Sequence, residues 1–419
     1  MIARPMPWLM LTAAVIAQAA TTVVATTPAF LIPLLHDTAG LSLAEAGLLA
    51  AAPNLGLVLS LVAWGAATDR WGERRVLVTG LAATTLAIVL SMLASGFVWL
   101  GLTLVLSGAL SGCTNASSGR LIVGWFPPER RGLAMGIRQT CQPVGVAAAA
   151  LAVPALASGA GIAAALAFGG VLCLVSLIVC TVVVVDPARP PHRELAAAPN
   201  PYRGTGVLAR IHAVSVLLVV PQFALSTFGL VWFIAGFGWS AIAAGLVVSA
   251  AQLLGAGGRI AAGAISDRVG SRLGPLRWVA IAGIAAMGLT AAFGALGLAI
   301  PAAIAFVIAS CISVADNGLA FTAVAEIAGP RWAGRALGIQ NTGQFLAAAI
   351  VSPAFGALIG AVGYPLAWAI GALAPLAAVP LVPHAGGPAL PAPPRPAATR
   401  PTPPTGLPAP SRAEESRSG

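Results

Sequence analysis

The sequence predicts an all-α membrane protein of twelve transmembrane helices, arranged as two parallel, pseudo-symmetric halves of six. Three observations carry that expectation. Of 419 residues, 58% are hydrophobic and only 8% are charged, and the mean hydropathy of +0.93 lies outside the range of soluble globular domains. Twelve apolar runs can be drawn, each able to cross hydrocarbon about 30 Å thick, for which roughly 20 residues are needed. A charged stretch between the second and third runs returns, in shorter form, between the eighth and ninth.

The runs are 8–35, 46–66, 76–95, 98–125, 133–157, 161–185, 211–236, 240–264, 278–298, 300–325, 336–360 and 363–383. The pairs that meet at Gly96, Gly159, Ala299 and Gly360 leave room only for tight turns. The first run follows Arg4 and has Ala17 and Ala19 where a signal peptide is cleaved. It is too long for a signal core, so it reads as an uncleaved first span. Residues 186–209 form a Pro- and Arg-containing linker between a first half, 1–185, and a second half, 210–383. The segment 384–419 is rich in Pro, Ala, Arg and Ser and cannot bury a core, so a disordered tail is expected.

The formal charge is +10, and every basic residue is an arginine. Their distribution excludes nucleic acid as a partner, because they stand in short loops rather than on one face. Even-numbered connections hold Arg70, Arg74, Arg75, Arg130, Arg131, Arg189, Arg193, Arg203, Arg268, Arg272, Arg277 and Arg331; odd-numbered ones hold only His36, Asp37 and Glu45 as ionisable residues. Positively charged loops stay in the cytoplasm. The expectation is a multi-pass protein of the cell (plasma or inner) membrane with both termini cytoplasmic.

No enzyme is expected, and no cofactor or metal. There is no phosphate-binding Gly-rich loop, and the histidines are scattered at positions 36, 192, 212 and 384. Cys113, Cys141, Cys173, Cys180 and Cys311 fall inside apolar runs without ligand or redox spacing and read as small packing residues.

The recurring stretch is GAATDRWGERR, Gly65 to Arg75. Gly65 lets another backbone come close, Gly72 permits a tight reversal, and Asp69, Arg70, Glu73, Arg74 and Arg75 resist entering hydrocarbon. GAISDRVGSR at 263–272 keeps Gly263, Asp267, Arg268, Gly270 and Arg272 at a shift of 198 residues. At a shift of 202, Pro128, Gly132, Ala134, Gly136, Ile137, Thr140 and Gln142 match Pro330, Gly334, Ala336, Gly338, Ile339, Thr342 and Gln344. The first stretch resembles the loop motif between the second and third helices of major facilitator superfamily transporters, and the resemblance covers residues 8–383. It implies two six-helix halves with a small-molecule site between them near the midplane, working by alternating access as a monomer in the bilayer. It also implies a gate formed by Gly65, Asp69, Arg70, Gly72 and Arg74 with Gly263, Asp267 and Arg268, the aspartates clamping positively polarised helix N-termini. Ordinary topogenic charges are the plainer reading of the same residues.

WFPPERRG at 125–132 resembles the fourth-to-fifth helix loop of bacterial members, including carriers of organic and inorganic anions. The fifth helix offers Gln142, Pro143 and Gly145, a poor match to the drug-antiporter signature.

Ionisable residues inside spans are functional candidates, because a charge at the bilayer centre costs about 2.5–3.5 kcal/mol. Arg259 stands eight residues before Asp267, and Asp316 ten before Glu326, or about 12 and 15 Å along a helix. Asp316 is the best proton-carrier candidate. Arg259 is either its partner in a permanent ion pair or the anchor of an anionic substrate, and the pattern around it is similar to the eighth helix of monocarboxylate-type carriers. Arg138 and Arg120 lie close enough to a span end to snorkel, and Arg120 suits a structural pairing with Asp69. Polar residues fall on the spans that line the cavity in the family: Gln18, Thr21 and Thr22 on the first, Asn115 on the fourth, Gln222 and Ser226 on the seventh, Asn317 on the tenth. Helix-to-helix hydrogen bonding would also account for them.

The function expected is secondary transport of a small organic anion, with proton coupling or anion exchange. A proton-coupled exporter of hydrophobic or cationic compounds and a non-transporting membrane sensor are the alternatives.

Overall fold

The computed structural model describes residues 7–37, 41–188, 199–203 and 206–383. Arg189, Arg193, half of the linker and the 384–419 tail lie outside the described residues. The described chain is built from helices: α1 (Pro7–Phe30), α2 (Ile32–Asp37), α3 (Leu43–Trp71), α4 (Glu73–Leu93), α5 (Phe97–Ser111), α6 (Cys113–Trp125), α7 (Pro128–Arg138), α8 (Cys141–Val183), α9 (Val207–Phe237), α10 (Ala241–Val269), α11 (Leu273–Ala295), α12 (Ala299–Ser313), α13 (Asp316–Gly371) and α14 (Leu373–Leu381).

Among the described residues, nine helical segments are long and apolar enough to cross a membrane. Two of them are divided further. Gly161 (φ 83°) breaks α8 once, and Gly329 (φ 70°) and Gly363 (φ 78°) break α13 twice. The spans are therefore twelve, as the apolar runs predict. Three turns fall beside their expected positions: at Gly161 rather than Gly159, Gly297 (φ 66°) rather than Ala299, and Gly363 rather than Gly360. The reversal needs a positive φ, which glycine adopts without steric cost and alanine does not. At the one alanine among the expected positions, Ala299, the chain turns at a glycine, Gly297, instead.

Large apolar side chains face outward along the spans. Leu151 is 81% exposed, Ile242 79% and Leu59 72%. In water such a surface would aggregate; here it is the lipid-facing side. The interior holds small residues and satisfied hydroxyls, such as Thr84 Oγ1 donating to the Gly80 carbonyl at 2.8 Å.

The fourth and tenth spans are each interrupted once, at Gly112 between α5 and α6 and at Val314 and Ala315 between α12 and α13. Positions 112 and 314 stand 202 residues apart, the shift of the sequence repeat. At both places the next turn closes by an i to i+3 bond, Asn115 N to Gly112 O (3.2 Å) and Asn317 N to Val314 O (3.4 Å). Each interruption sets an asparagine at mid-span.

Two crossings bring the halves together at the arginine-rich end. At one, α3 meets α13 at Gly65 and Gly334; at the other, α7 meets α10 at Gly132 and Gly263. A Cβ on any of the four would fall under 3.0 Å from the carbonyl oxygen of its opposite glycine. Only glycine permits this approach of backbones. Gly65→Val is expected to push the crossing apart, and a cysteine placed at Ala336, which is fully buried, should then become accessible to a membrane-impermeant maleimide. Unchanged protection would contradict the close crossing.

Candidate functional site

The site has two layers: a pair of clamps at the arginine-rich end, and a polar centre at mid-span.

In the first clamp, Asp69 near the end of α3 accepts from the main-chain N–H of Gly334 (2.8 Å) and Arg335 (3.0 Å) on α13. Arg120 on α6 pairs with Asp69 (3.5 Å) and Glu73 (3.3 Å) and donates through Nη2 to the Pro330 carbonyl (2.8 Å). In the second, Asp267 near the end of α10 accepts from the N–H of Gly132 (2.9 Å) and Leu133 (2.8 Å) on α7. Arg272 pairs with Asp267 at 2.6 Å and reaches the Pro128 carbonyl. Each carboxylate sits near the start of a helix, where main-chain N–H groups carry partial positive charge. Arg131 and Arg272 also meet Glu326, at 3.4 and 3.3 Å. Burial works against the Arg272 charge, but Glu326 and Asp267 outweigh it and raise its pKa above the ordinary value.

The motif residues divide in this geometry. Asp69 and Asp267 hold the clamps, Gly65 and Gly263 make the crossings, and Gly72 (φ 98°) and Gly270 (φ 67°) make the turns. Arg70 and Arg268 stand exposed, outside the clamps. Arg74 turns away, its side chain donating to the Thr181 carbonyl and its main-chain N to Asp186, both at 2.7 Å. The position that Arg272 fills in the second copy is filled in the first by Arg120 from another helix. Arg120 pairs with Asp69 as the sequence suggests.

At mid-span a small polar cavity is lined by Gln18, Gln139, Gln142, Gln222, Asn317, Asn341 and Gln344, with Phe223, Phe321 and Phe345. Its two sides are built alike. Gln18 Nε2 donates to Asn115 Oδ1 (3.2 Å) across the first and fourth spans; Asn317 Nδ2 donates to Gln222 Oε1 (3.0 Å) across the tenth and seventh. Asn115 thus stands behind Gln18, while Gln222 and Asn317 reach the cavity wall. Gln344 Nε2 adds a bond to Asn317 Oδ1 (2.9 Å). Thr21 bonds Thr114, and Thr22 and Ser226 bond carbonyls of their own helices. Interhelical bonding and cavity lining are therefore both present, on the same residues.

Three ionisable groups lie behind this wall. Arg138 does not snorkel: it is fully buried, because its guanidinium is held from within. It donates to Ser118 Oγ (2.8 Å), the Asn115 carbonyl (2.6 Å) and Gln139 Oε1 (2.7 Å), and its Cζ stands 5.7 Å from the centre of the Phe321 ring. All three oxygens are neutral acceptors. Arg259, 6% exposed, donates to the Gln139 carbonyl at 2.7 Å. Both arginines thus grip Gln139, and Gln139 faces the cavity. Asp316 is fully buried and accepts from Ser215 Oγ at 3.4 Å, while its Oδ1 has no hydrogen-bond partner. Among the described residues no close salt bridge joins Asp316 to Arg259, but the two opposite charges act on each other through space.

Gln139, Asn341 and the role of Gln344 are absent from the sequence reading. Gln142 and Gln344 were visible as a repeat pair, the one available signal.

Twelve spans in two like-oriented halves, clamped at one end around a polar centre, define the class: a multi-pass membrane transporter. The chain belongs to the Major Facilitator Superfamily, whose family model matches residues 11–352. It is 48% identical over 360 residues to the uncharacterized MFS-type transporter Rv2994 of Mycobacterium tuberculosis, covering 85% of this chain and 80% of that one. A shorter stretch of 113 residues, 27% of each chain, is 28% identical to the hexuronate transporter of Bacillus subtilis. The crystal structure of the MFS transporter FucP in the outward conformation superposes with a TM-score of 0.71 at 15% identity, over 89% of this chain and 97% of that one.

Proposed function

We propose that this transporter carries a small organic anion by alternating access, together with a proton or in exchange for a second anion. The observation that carries the reading is the surplus of buried positive charge beneath the cavity. Arg138 and Arg259 both grip Gln139, whereas one carboxylate, Asp316, acts on Arg259. An uncompensated buried charge costs several kcal/mol, and an anion in the cavity would offset that cost. The amides and phenylalanines of the lining suit a small, partly apolar body with hydroxyl or carboxyl groups. A hexuronate is such a molecule, which is how the short likeness to a hexuronate transporter supports the reading.

Asp316, fully buried with one oxygen unpartnered, is the proton carrier in this scheme. The arginine-rich end is taken as cytoplasmic, in the cell membrane, so the clamped conformation is the one open to the outside. The transporter works as a monomer, since each half supplies one side of the cavity. Purified protein in liposomes should accelerate exchange of at least one carboxylate in a panel of monocarboxylates, dicarboxylates and uronates. Proton-linked efflux of a hydrophobic dye, with no carboxylate exchanged, would replace this reading with a drug exporter.

A further inference from the structure

A line of polar groups runs from Asp316 toward the arginine-rich end, through the second half to the linker. Ser215 Oγ donates to Asp316 Oδ2 (3.4 Å) and accepts from Gln344 Nε2 (2.8 Å). One turn away on α9, His212 uses both ring nitrogens. Nδ1 donates to Gln340 Oε1, and Nε2 accepts the Tyr202 hydroxyl at 3.0 Å. Gln340 and Gln344 are themselves one turn apart on α13, so the same two helices supply both rungs. Between the rungs Gln340 Nε2 is left without a hydrogen-bond partner, on a residue 2% exposed. A buried donor in that condition costs about 1–3 kcal/mol, and a water bridging the rungs would satisfy it.

Tyr202 comes from the linker and ties this line to the first clamp. Its ring stacks on His212 (5.9 Å between centroids) and meets Trp332 edge-on (6.4 Å). Arg335 lies over Trp332 at 4.8 Å, and the Arg335 main chain is one of the two donors to Asp69.

We propose that His212 passes the coupling proton between Asp316 and the arginine-rich end, and that Tyr202 plugs its outer nitrogen while the clamps hold. The proposal rests on the proton-coupled form of the reading above. A proton reaching Nε2 makes the ring an imidazolium. The ring then gives up its Nδ1 proton, through water beside Gln340 and the Ser215 hydroxyl, to the Asp316 carboxylate. One N–H forms and one breaks, one O–H forms, and the ring ends neutral; the reverse sequence releases the proton. The two nitrogens of imidazole, one on each side of the barrier, are what such a relay requires. Tyr202 is a plug rather than a carrier, since burial, with a lesser contribution from Asp69, pushes its hydroxyl up to about 12. The titratable and charged groups facing the track are Tyr202, Asp316 with Arg259 acting on it, and Asp69 with Arg335 behind Trp332. Arg210 and Arg277 are turned to the Leu381 and Val382 carbonyls, and Glu326 to Arg131 and Arg272. α12 and α14 bring no charged side chain.

The test needs no substrate. Full-length protein in lipid nanodiscs is transferred to D2O, and the carboxylic-acid band of Asp316, identified by its loss in Asp316→Asn, is timed by infrared difference spectroscopy. His212→Gln should slow its exchange about tenfold or more, whereas Tyr202→Phe, which removes the plug and keeps the ring, should quicken it. Unchanged rates in both variants would overturn the relay while leaving the proton reading intact. Slowing without quickening would overturn the plug. If wild type shows no band that Asp316→Asn removes, at any pH the protein tolerates, the proton reading itself falls and the relay with it. Should His212→Gln fail to fold, Tyr202→Phe alone decides, because a relay ending elsewhere would leave its rate unchanged.

Discussion

Arg259→Ala is expected to reduce carboxylate exchange roughly thirtyfold or more, the equivalent of losing about 2–5 kcal/mol from a buried charge interaction. The loss has two parts. The cavity loses one of the two buried positive charges beneath it, and Asp316 loses the cation acting on it. The second part is separable, because Asp316→Asn in the same chain removes the carboxylate that Arg259 compensates. The double variant should therefore insert and fold better than Arg259→Ala alone, yet recover no exchange. At Arg138 the informative change is Arg138→Lys. Lysine keeps the charge but cannot hold Ser118, Asn115 and Gln139 with one planar fork. Exchange should fall there as well, with the fold disturbed less than by alanine, which would strand three acceptors. Full exchange in Arg259→Ala would place the anion's counter-charge elsewhere.

Asp69→Asn is expected to leave insertion intact and to release the arginine-rich end. The carboxylate accepts two main-chain N–H bonds and faces Arg120, whereas an amide keeps one acceptor oxygen, adds a donor and carries no charge. Hydrogen bonds to a charged group contribute about 1.5–3 kcal/mol each. Loss of one shifts the balance between clamped and released forms roughly tenfold to a hundredfold. A cysteine at Ala336 should become reactive from that side, and transport should slow because the clamped state no longer forms readily. Asp267→Asn should act in the same direction, since Arg272, like Arg120, keeps a second carboxylate and a proline carbonyl when the aspartate is lost. Equal protection of the cysteine in Asp69→Asn and wild type would remove the clamp from the mechanism.

Much of the fold was legible because membrane insertion writes itself into composition. The twelve spans follow from apolar run length, and the matched copies at shifts of 198 and 202 residues already name both aspartates, all four crossing glycines and both prolines whose carbonyls the arginines hold. What was illegible is where a long side chain ends. Arg138 reads as a surface-seeking residue by its distance from the span end, yet neutral oxygens from α6 and from Gln139 hold it inside. Arg70, Arg74 and Arg268 read as gate residues by position in the motif, yet face solvent or the end of α8. The turn positions missed by two or three residues because hydropathy does not register φ. In the sequence His212 is one of four scattered histidines, since its partners, Tyr202 and Gln340, lie 10 and 128 residues away.

The charge selectivity of the cavity can be measured most directly by counterflow with a matched pair of probes. Liposomes containing the protein are loaded with unlabelled glucuronate or unlabelled glucose and given the labelled form of the same compound outside. Glucuronate should exchange, with inhibition by other carboxylates in the panel, and glucose of the same ring size should not. Movement of glucose as fast as glucuronate, or of a hydrophobic cation in place of either, would contradict an organic-anion carrier.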